Sequence, residues 1–209
     1  METAVPLTIV IPAYNEAENL KIVLPDLLEL CEQHNWKIMI TNDGSKDDTR
    51  NVLQSFAANP RLSVVHHKLN KGYGAAIKSS IARCDTEYVI TVDADGQHRK
   101  EDIVKLFDTI VAQDADMVVG SRKGTKAASR MRAVGKSIIR FTAKLLLTVP
   151  VHDINSGMKI YRTELAQKYL HLTPNQMPFS DIITLIFISN RHLVLEVPIK
   201  VNDRLKGES

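Results

Sequence analysis

Asp93-Ala94-Asp95 closes the apolar run 87–92 (EYVITV). In a strand, residues i and i+2 point the same way, so both carboxylates are expected to project together from a strand's carboxyl end. That edge is where open α/β sheets bind ligands. Two hard oxygen donors held there suit Mg2+ or Mn2+, ions usually held by one or two carboxylates plus substrate phosphates. An Asp-x-Asp alone also describes many surface turns, so its neighbours decide its meaning. Pro12-Ala13-Tyr14-Asn15-Glu16 and Asn42-Asp43-Gly44-Ser45-Lys46-Asp47-Asp48-Thr49 each follow an apolar, β-branched run. Such loops can accept hydrogen bonds from a base's N–H groups and a ribose's hydroxyls. Taken singly, they read as turns, and Ser45 or Asp47 would cap the next helix well.

Lys71-Gly72-Tyr73-Gly74-Ala75-Ala76 opens a third helical stretch. A Gly-rich helix start can approach a phosphate closely, and it can equally be a structural turn. It is not a full dinucleotide fingerprint, because Ile77 stands at the last glycine position, and no Walker lysine motif is present. Gly120-Ser121-Arg122 ends a fifth apolar run, where an arginine could hold a phosphate bidentately. His66 and His67 end a strand and point to opposite faces, which makes them structural. His98 follows the aspartate pair closely and is a candidate for substrate contact.

The elements that must place these groups alternate regularly. Strands are expected over 7–13, 37–41, 62–66, 87–92 and 116–119, with helices over 16–31, 47–56, 72–83 and 100–112. This βαβ alternation with short connections implies an α/β fold with a mostly parallel central sheet covered on both faces. Each polar loop above then falls on one sheet edge. The second half differs: a long basic helix over 127–149, a strand over 158–161, helices near 163–170 and 181–189, and a strand over 194–201. No repeat or linker interrupts the chain, so one domain over 1–209 is expected.

At 209 residues the chain is long enough for a substantial buried core. Cys31 and Cys84 stand far apart, which argues against a disulfide scaffold or zinc site and points to a reducing, cytoplasmic setting. No charged-then-apolar leader opens the sequence, so a signal peptide is not expected. No apolar stretch approaches the ~20 residues that span a bilayer. Net charge is +3 but uneven. Eight Lys or Arg (Arg122, Lys123, Lys126, Arg130, Arg132, Lys136, Arg140, Lys144) and no Asp or Glu lie between Met117 and His152. That segment is expected to meet an anionic partner. Lys136, Arg140 and Lys144 share one helical face, so peripheral contact with an anionic membrane is one option and a plain solvated face the other.

Taken in order, Pro-Ala-Tyr-Asn-Glu, Asn-Asp-Gly-Ser-x-Asp-x-Thr, Lys-Gly-x-Gly-x-Ala, Asp-Ala-Asp-Gly-Gln-His, Gly-Ser-Arg and Asp-x-x-Ser-Gly resemble family 2 glycosyltransferases. The resemblance runs from Leu7 to Ser209 and is nearest the dolichyl-phosphate mannose synthase and polyprenyl-phosphate sugar transferase branch. It implies the GT-A fold, a Rossmann-like three-layer sandwich. It also implies a UDP- or GDP-sugar donor, Mg2+ or Mn2+, and a polyprenyl phosphate acceptor, with no nucleic-acid partner. By similarity, Pro12, Tyr14, Glu16 and Asp43 would line the nucleoside pocket, joined by Lys71 and Gly72. Asp93, Ala94, Asp95 and Gln97 would surround the metal and diphosphate, with Asp93, Asp95 and Gln97 as ligands. Arg122, Arg132, Lys136, Arg204 and Lys206 would grip phosphate groups. Residues 1–122 would form the donor and metal half, and 123–209 the acceptor half. Asp153 precedes the Ser-Gly pair, with Met158 where the family usually has Phe. Extended members of the family carry membrane helices after this point, so a chain ending at Ser209 is expected to be a short soluble form or a catalytic domain.

An anionic lipid phosphate needs no strong base, and the expected chemistry there is inversion by direct displacement helped by Asp95 and Arg122. Transfer to a saccharide hydroxyl would instead need a carboxylate base, for which Asp153 and Asp181 are the candidates. A nucleotide-dependent oxidoreductase would need a Gly-rich first βα turn, and residues 12–16 contain no glycine. A catalytically silent nucleotide- or membrane-binding module is the remaining alternative.

Overall fold

The computed structural model describes residues 6–122 and 151–202. Within them the chain runs β1 (Leu7–Ala13), α1 (Ala17–His34), β2 (Lys37–Asn42), α2 (Thr49–Ser55), β3 (Leu62–His66), α3 (Tyr73–Ile81), β4 (Tyr88–Thr91), α4 (Lys100–Ala112) and β5 (Met117–Ser121). It resumes with β6 (Lys159–Arg162), α5 (Thr163–Tyr169), a single 3-10 turn (Leu170–Leu172), α6 (Phe179–Ser189) and β7 (Val194–Pro198). The expected basic helix over 127–149 lies outside the described residues.

The strands form one sheet in the order β3-β2-β1-β4-β6-β5-β7. Strand β1 pairs in parallel with β2 and β4, β2 with β3, and β5 with β7. Strand β6 runs antiparallel to both of its neighbours, β4 and β5. Side-chain alternation divides the core between the two faces. Leu7, Ile9 and Ile11 of β1 join Leu20, Leu24, Leu53, Ile103 and Leu106 from α1, α2 and α4 on one face. Val10, Val89, Met117 and Tyr161 meet Ile77, Ile81, Phe179, Ile183 and Phe187 from α3 and α6 on the other. Both faces are dry, which is why these strands read as unbroken apolar runs. The three-layer expectation holds.

Several boundaries differ from those expected, each for a local reason. Helix α2 starts at Thr49 because Asp47 Oδ1 accepts from both the Thr49 amide (3.1 Å) and its hydroxyl (2.6 Å). Helix α6 begins at Phe179, so Asp181 lies inside its first turn. Strand β7 stops at Pro198 rather than 201. Beyond it the Lys200 amide donates to Asp102 Oδ2 (3.0 Å), and Val201 forms a lone antiparallel bridge with His98.

Candidate active site at the carboxyl edge of the sheet

The parallel strands end their polar loops on one edge, and β6, running the other way, begins there. Its first residue, Lys159, pairs with both Thr91 at the end of β4 and Val119 in β5. The loop before β6, carrying Asp153 and the Ser156-Gly157 pair, therefore arrives among the loops that follow the other strands. An all-parallel reading does not deliver it there.

Strand β4 ends at Thr91, so Asp93 and Asp95 lie in the turn beyond it and not on alternating strand positions. Strand periodicity therefore does not set the directions of the two carboxylates. Asp95 Oδ1 accepts from the Gln97 amide (3.1 Å), and the Asp93 amide donates to His98 Nδ1 (3.1 Å). His98 thus fastens the turn. Gln97 Nε2 donates to the Asn202 carbonyl (3.4 Å), tying the turn to the chain beyond β7. Asp93 Oδ1 accepts from the Tyr73 hydroxyl at 3.0 Å. No group of three or more His, Cys, Asp or Glu gathers as a ligand cage among the described residues. Two carboxylates and an amide oxygen in one turn fit an ion that takes its remaining oxygens from a diphosphate.

Arg122, just past β5, grips Asp153 with a two-pronged fork: Nε to Oδ2 at 2.8 Å and a terminal nitrogen to Oδ1 at 2.9 Å. The Arg122 amide donates to the same Oδ2 at 3.0 Å. Burial pushes the Asp153 carboxyl upward, but these bonds outweigh it and hold the group below the usual carboxylate range. That makes Asp153 a poor base. Glu196 of β7 supports the loop by accepting from the His152 and Asp153 amides at 3.0 and 2.9 Å. Arg122 also feels the negative charges of Asp93 and Asp181.

Lys159 is fully buried. Its ammonium donates to the Ile154 carbonyl (2.6 Å) and, more closely still, to that of Ser180. Burial pulls its pKa down to about 7 against the opposing pull of Asp181 and Asp153. One side chain thus ties the loop of Asp153 to the first turn of α6, which carries Asp181.

The loops expected to frame a nucleoside are knitted to each other. Asn15 donates its amide to Ser45 Oγ (2.9 Å) and accepts from the Lys46 amide (2.8 Å). The Glu16 amide donates to Thr49 Oγ1 (3.0 Å), while Glu16 Oε2 accepts from Asn19 (2.6 Å). Tyr14 is exposed on this rim, and Pro12 pairs with Thr41. Asp43 is buried and accepts from the Lys71 and Gly72 amides at 2.9 and 2.8 Å and from His67 Nδ1 at 2.5 Å. His67 is structural, as expected. The glycines of the α3 entry serve the chain's own packing: a Cβ on Gly74 would stand 2.4 Å from the Pro174 carbonyl oxygen. The Asn175 carbonyl also caps the Ala75 amide at 2.9 Å.

The structure therefore brings Asp93, Arg122, Asp153 and Asp181 together, with Asp95 and Gln97 in the adjoining turn. Arg132, Lys136, Arg204 and Lys206 lie outside the described residues. Sequence reasoning missed Tyr73 and Lys159. A lysine inside the apolar run Met158–Tyr161 was the available signal, since a buried charge requires partners.

The model of glycosyl transferase family 2 matches residues 8–170. The polyprenol monophosphomannose synthase of Mycolicibacterium smegmatis is 32% identical over 96% of this chain and 79% of its own length. The undecaprenyl-phosphate 4-deoxy-4-formamido-L-arabinose transferase of Sodalis glossinidius is 30% identical over 97% of this chain and 62% of its own length. Across such curated relatives the chain spans between 49% and 79% of their length. Among solved structures, glucosyl-3-phosphoglycerate synthase from Mycobacterium tuberculosis, in complex with Mg2+ and uridine diphosphate, superposes with a TM-score of 0.76. It is 16% identical, with 97% of this chain and 72% of that one covered, a likeness of fold.

Proposed function

Because the chain belongs to glycosyl transferase family 2, we propose that it moves a sugar from a UDP- or GDP-sugar to the phosphate of a polyprenyl lipid, with inversion and with the help of Mg2+ or Mn2+. The observation that carries this reading is the convergence of the Asp93–Asp95 turn with Arg122 and its partner Asp153 at the carboxyl edge of the sheet. Residues 1–122 would handle the donor and residues 123–209 the acceptor, working peripherally at the cytoplasmic face of a membrane.

In the proposed step, an acceptor phosphate oxygen attacks the anomeric carbon. The bond from that carbon to the donor's diphosphate breaks, and the electron pair leaves with the nucleoside diphosphate. No proton needs to move, because a phosphomonoester is already ionised near neutral pH. Asp93, Asp95 and Gln97 would hold the cation, which when bound supplies positive charge to the leaving diphosphate. Arg122 offers a planar guanidinium to the phosphates. Its fork is set in place by Asp153, so little reorganisation is needed when charge develops. Tyr14, Glu16 and the loop around Asp43 would frame the nucleoside. Arg132, Lys136, Arg204 and Lys206 would engage the lipid phosphate.

Transfer to a saccharide hydroxyl would leave the base role to Asp181, since the bonds from Arg122 make Asp153 a weak proton acceptor. Two measurements test the proposal. In a thermal-shift panel, a UDP- or GDP-sugar should stabilise the protein clearly more with Mn2+ or Mg2+ than without. With polyprenyl phosphate in detergent, the product should be a lipid-linked sugar phosphate of inverted anomeric configuration. Equal stabilisation with and without metal would defeat the metal-bound donor. If Asp181→Asn abolishes turnover onto a saccharide while the lipid phosphate stays unreacted, the acceptor assignment is wrong.

A further inference from the structure

The Asp93 carboxylate is held from two sides, and its backbone from a third, before any ligand arrives. The Tyr73 hydroxyl, at the first residue of α3, donates to Oδ1 at 3.0 Å and also meets the Ser180 side chain. From the loop before β6, Gly157 presses its bare Cα against the same group: a Cβ there would stand 2.4 Å from Oδ2 and 3.1 Å from Cγ. From behind, the Asp93 amide is anchored to His98. Tyr73 of α3 and Gly157 of the loop before β6 thus agree on one carboxylate orientation, while His98 fixes the backbone that carries it. A core tyrosine merely satisfying its hydroxyl could have used any nearby carbonyl.

We infer that Tyr73 is a positioning residue for the divalent cation, its hydroxyl and the side-chain-free surface of Gly157 together fixing the Asp93 carboxylate for the ion. This rests on the reading of the Asp93–Asp95 turn as the cation site. Outer partners of this kind orient a ligand, and losing one typically weakens metal binding about tenfold or more. Tyr73→Phe removes the hydroxyl and keeps the ring in the core. Gly157→Ala leaves the hydroxyl and displaces the carboxylate by contact.

The test measures Mn2+ affinity of the full chain by the electron paramagnetic resonance signal of the free ion. Saturating UDP or GDP is the co-ligand, whichever stabilises the wild type. Nucleotide affinity without metal and melting temperature are recorded alongside. Tyr73→Phe and Gly157→Ala should each weaken Mn2+ binding about tenfold. Metal-free nucleotide affinity should stay within about twofold, and the double variant should lose less than the two single losses combined. A folded Tyr73→Phe or Gly157→Ala protein that binds Mn2+ as the wild type does overturns the inference alone. A wild type that retains no Mn2+ with either nucleotide overturns the cation site itself. If neither variant folds, both residues are structural and the positioning role is refuted.

Discussion

Lys159 shows how one residue can organise a site without being its reagent. Its ammonium sits on two backbone carbonyls, each one residue from a candidate carboxylate. Burial holds its pKa at about 7, below the ordinary lysine value of 10.5 that the unfolded chain keeps. Between those values the unfolded chain holds a proton that the folded protein has released, so stability should rise with pH across that window. The slope approaches about 1.4 kcal/mol per pH unit at most. Lys159→Met should flatten that rise in denaturant titrations at successive pH values; an unchanged slope would show that the lysine is not the titrating group. At the neighbouring pair, Asp153→Asn should lower turnover on the order of tenfold or more by unseating Arg122, the range expected when a transition-state contact is misplaced. Should the variant instead lose an acidic limb that the wild-type pH–rate profile shows, Asp153 would be acting as a base.

Among the elements, two carry more than their sequence suggests. Strand β6 enters the sheet against the grain and so brings its preceding loop to the ligand edge, completing what β4 and β5 begin. Helix α3 starts where Gly72 adopts φ 101° and the Asn175 carbonyl takes the Ala75 amide, one of those a helix start offers to a phosphate. Gly74→Ala should therefore act on folding: with 2.4 Å to a backbone oxygen, overpacking should cost about 2 kcal/mol. In a domain of this size that lowers the melting temperature by about 6 °C. A variant as stable as the wild type would mean that the 174–176 loop yields easily.

For the whole molecule, the two dry faces make the sheet a rigid shelf, and all chemistry is left to its loops. No helix among the described residues is long and apolar enough to cross a membrane. The basic segment over 122–144 is the proposed source of contact with a lipid acceptor. Reversing charge at Lys136, Arg140 and Lys144 should lower adsorption to anionic vesicles, by about 1 kcal/mol for each residue that lies near the surface. Sedimentation with phosphatidylserine vesicles at low and high salt measures this, and unchanged partitioning would end the membrane-surface proposal. Asp95→Ala should cut turnover on the order of a hundredfold or more while the melting temperature stays close to wild type. Near-normal turnover, insensitive to metal removal, would end the cation's proposed role.

Apolar periodicity was enough to set out the α/β alternation, the sheet edge that carries the loops and the residues of the aspartate turn, because burial on both faces leaves a plain record along the chain. Arg122, Asp153 and Asp181 were legible as charges near that edge. Their mutual arrangement was not, because it depends on β6 running antiparallel, a choice made by pairing partners distant in sequence. For the same reason the parts played by Tyr73, Gly157 and Lys159 were not legible. Their roles exist only where α3, the β6 loop and α6 meet, and no local pattern encodes a contact between segments separated along the chain.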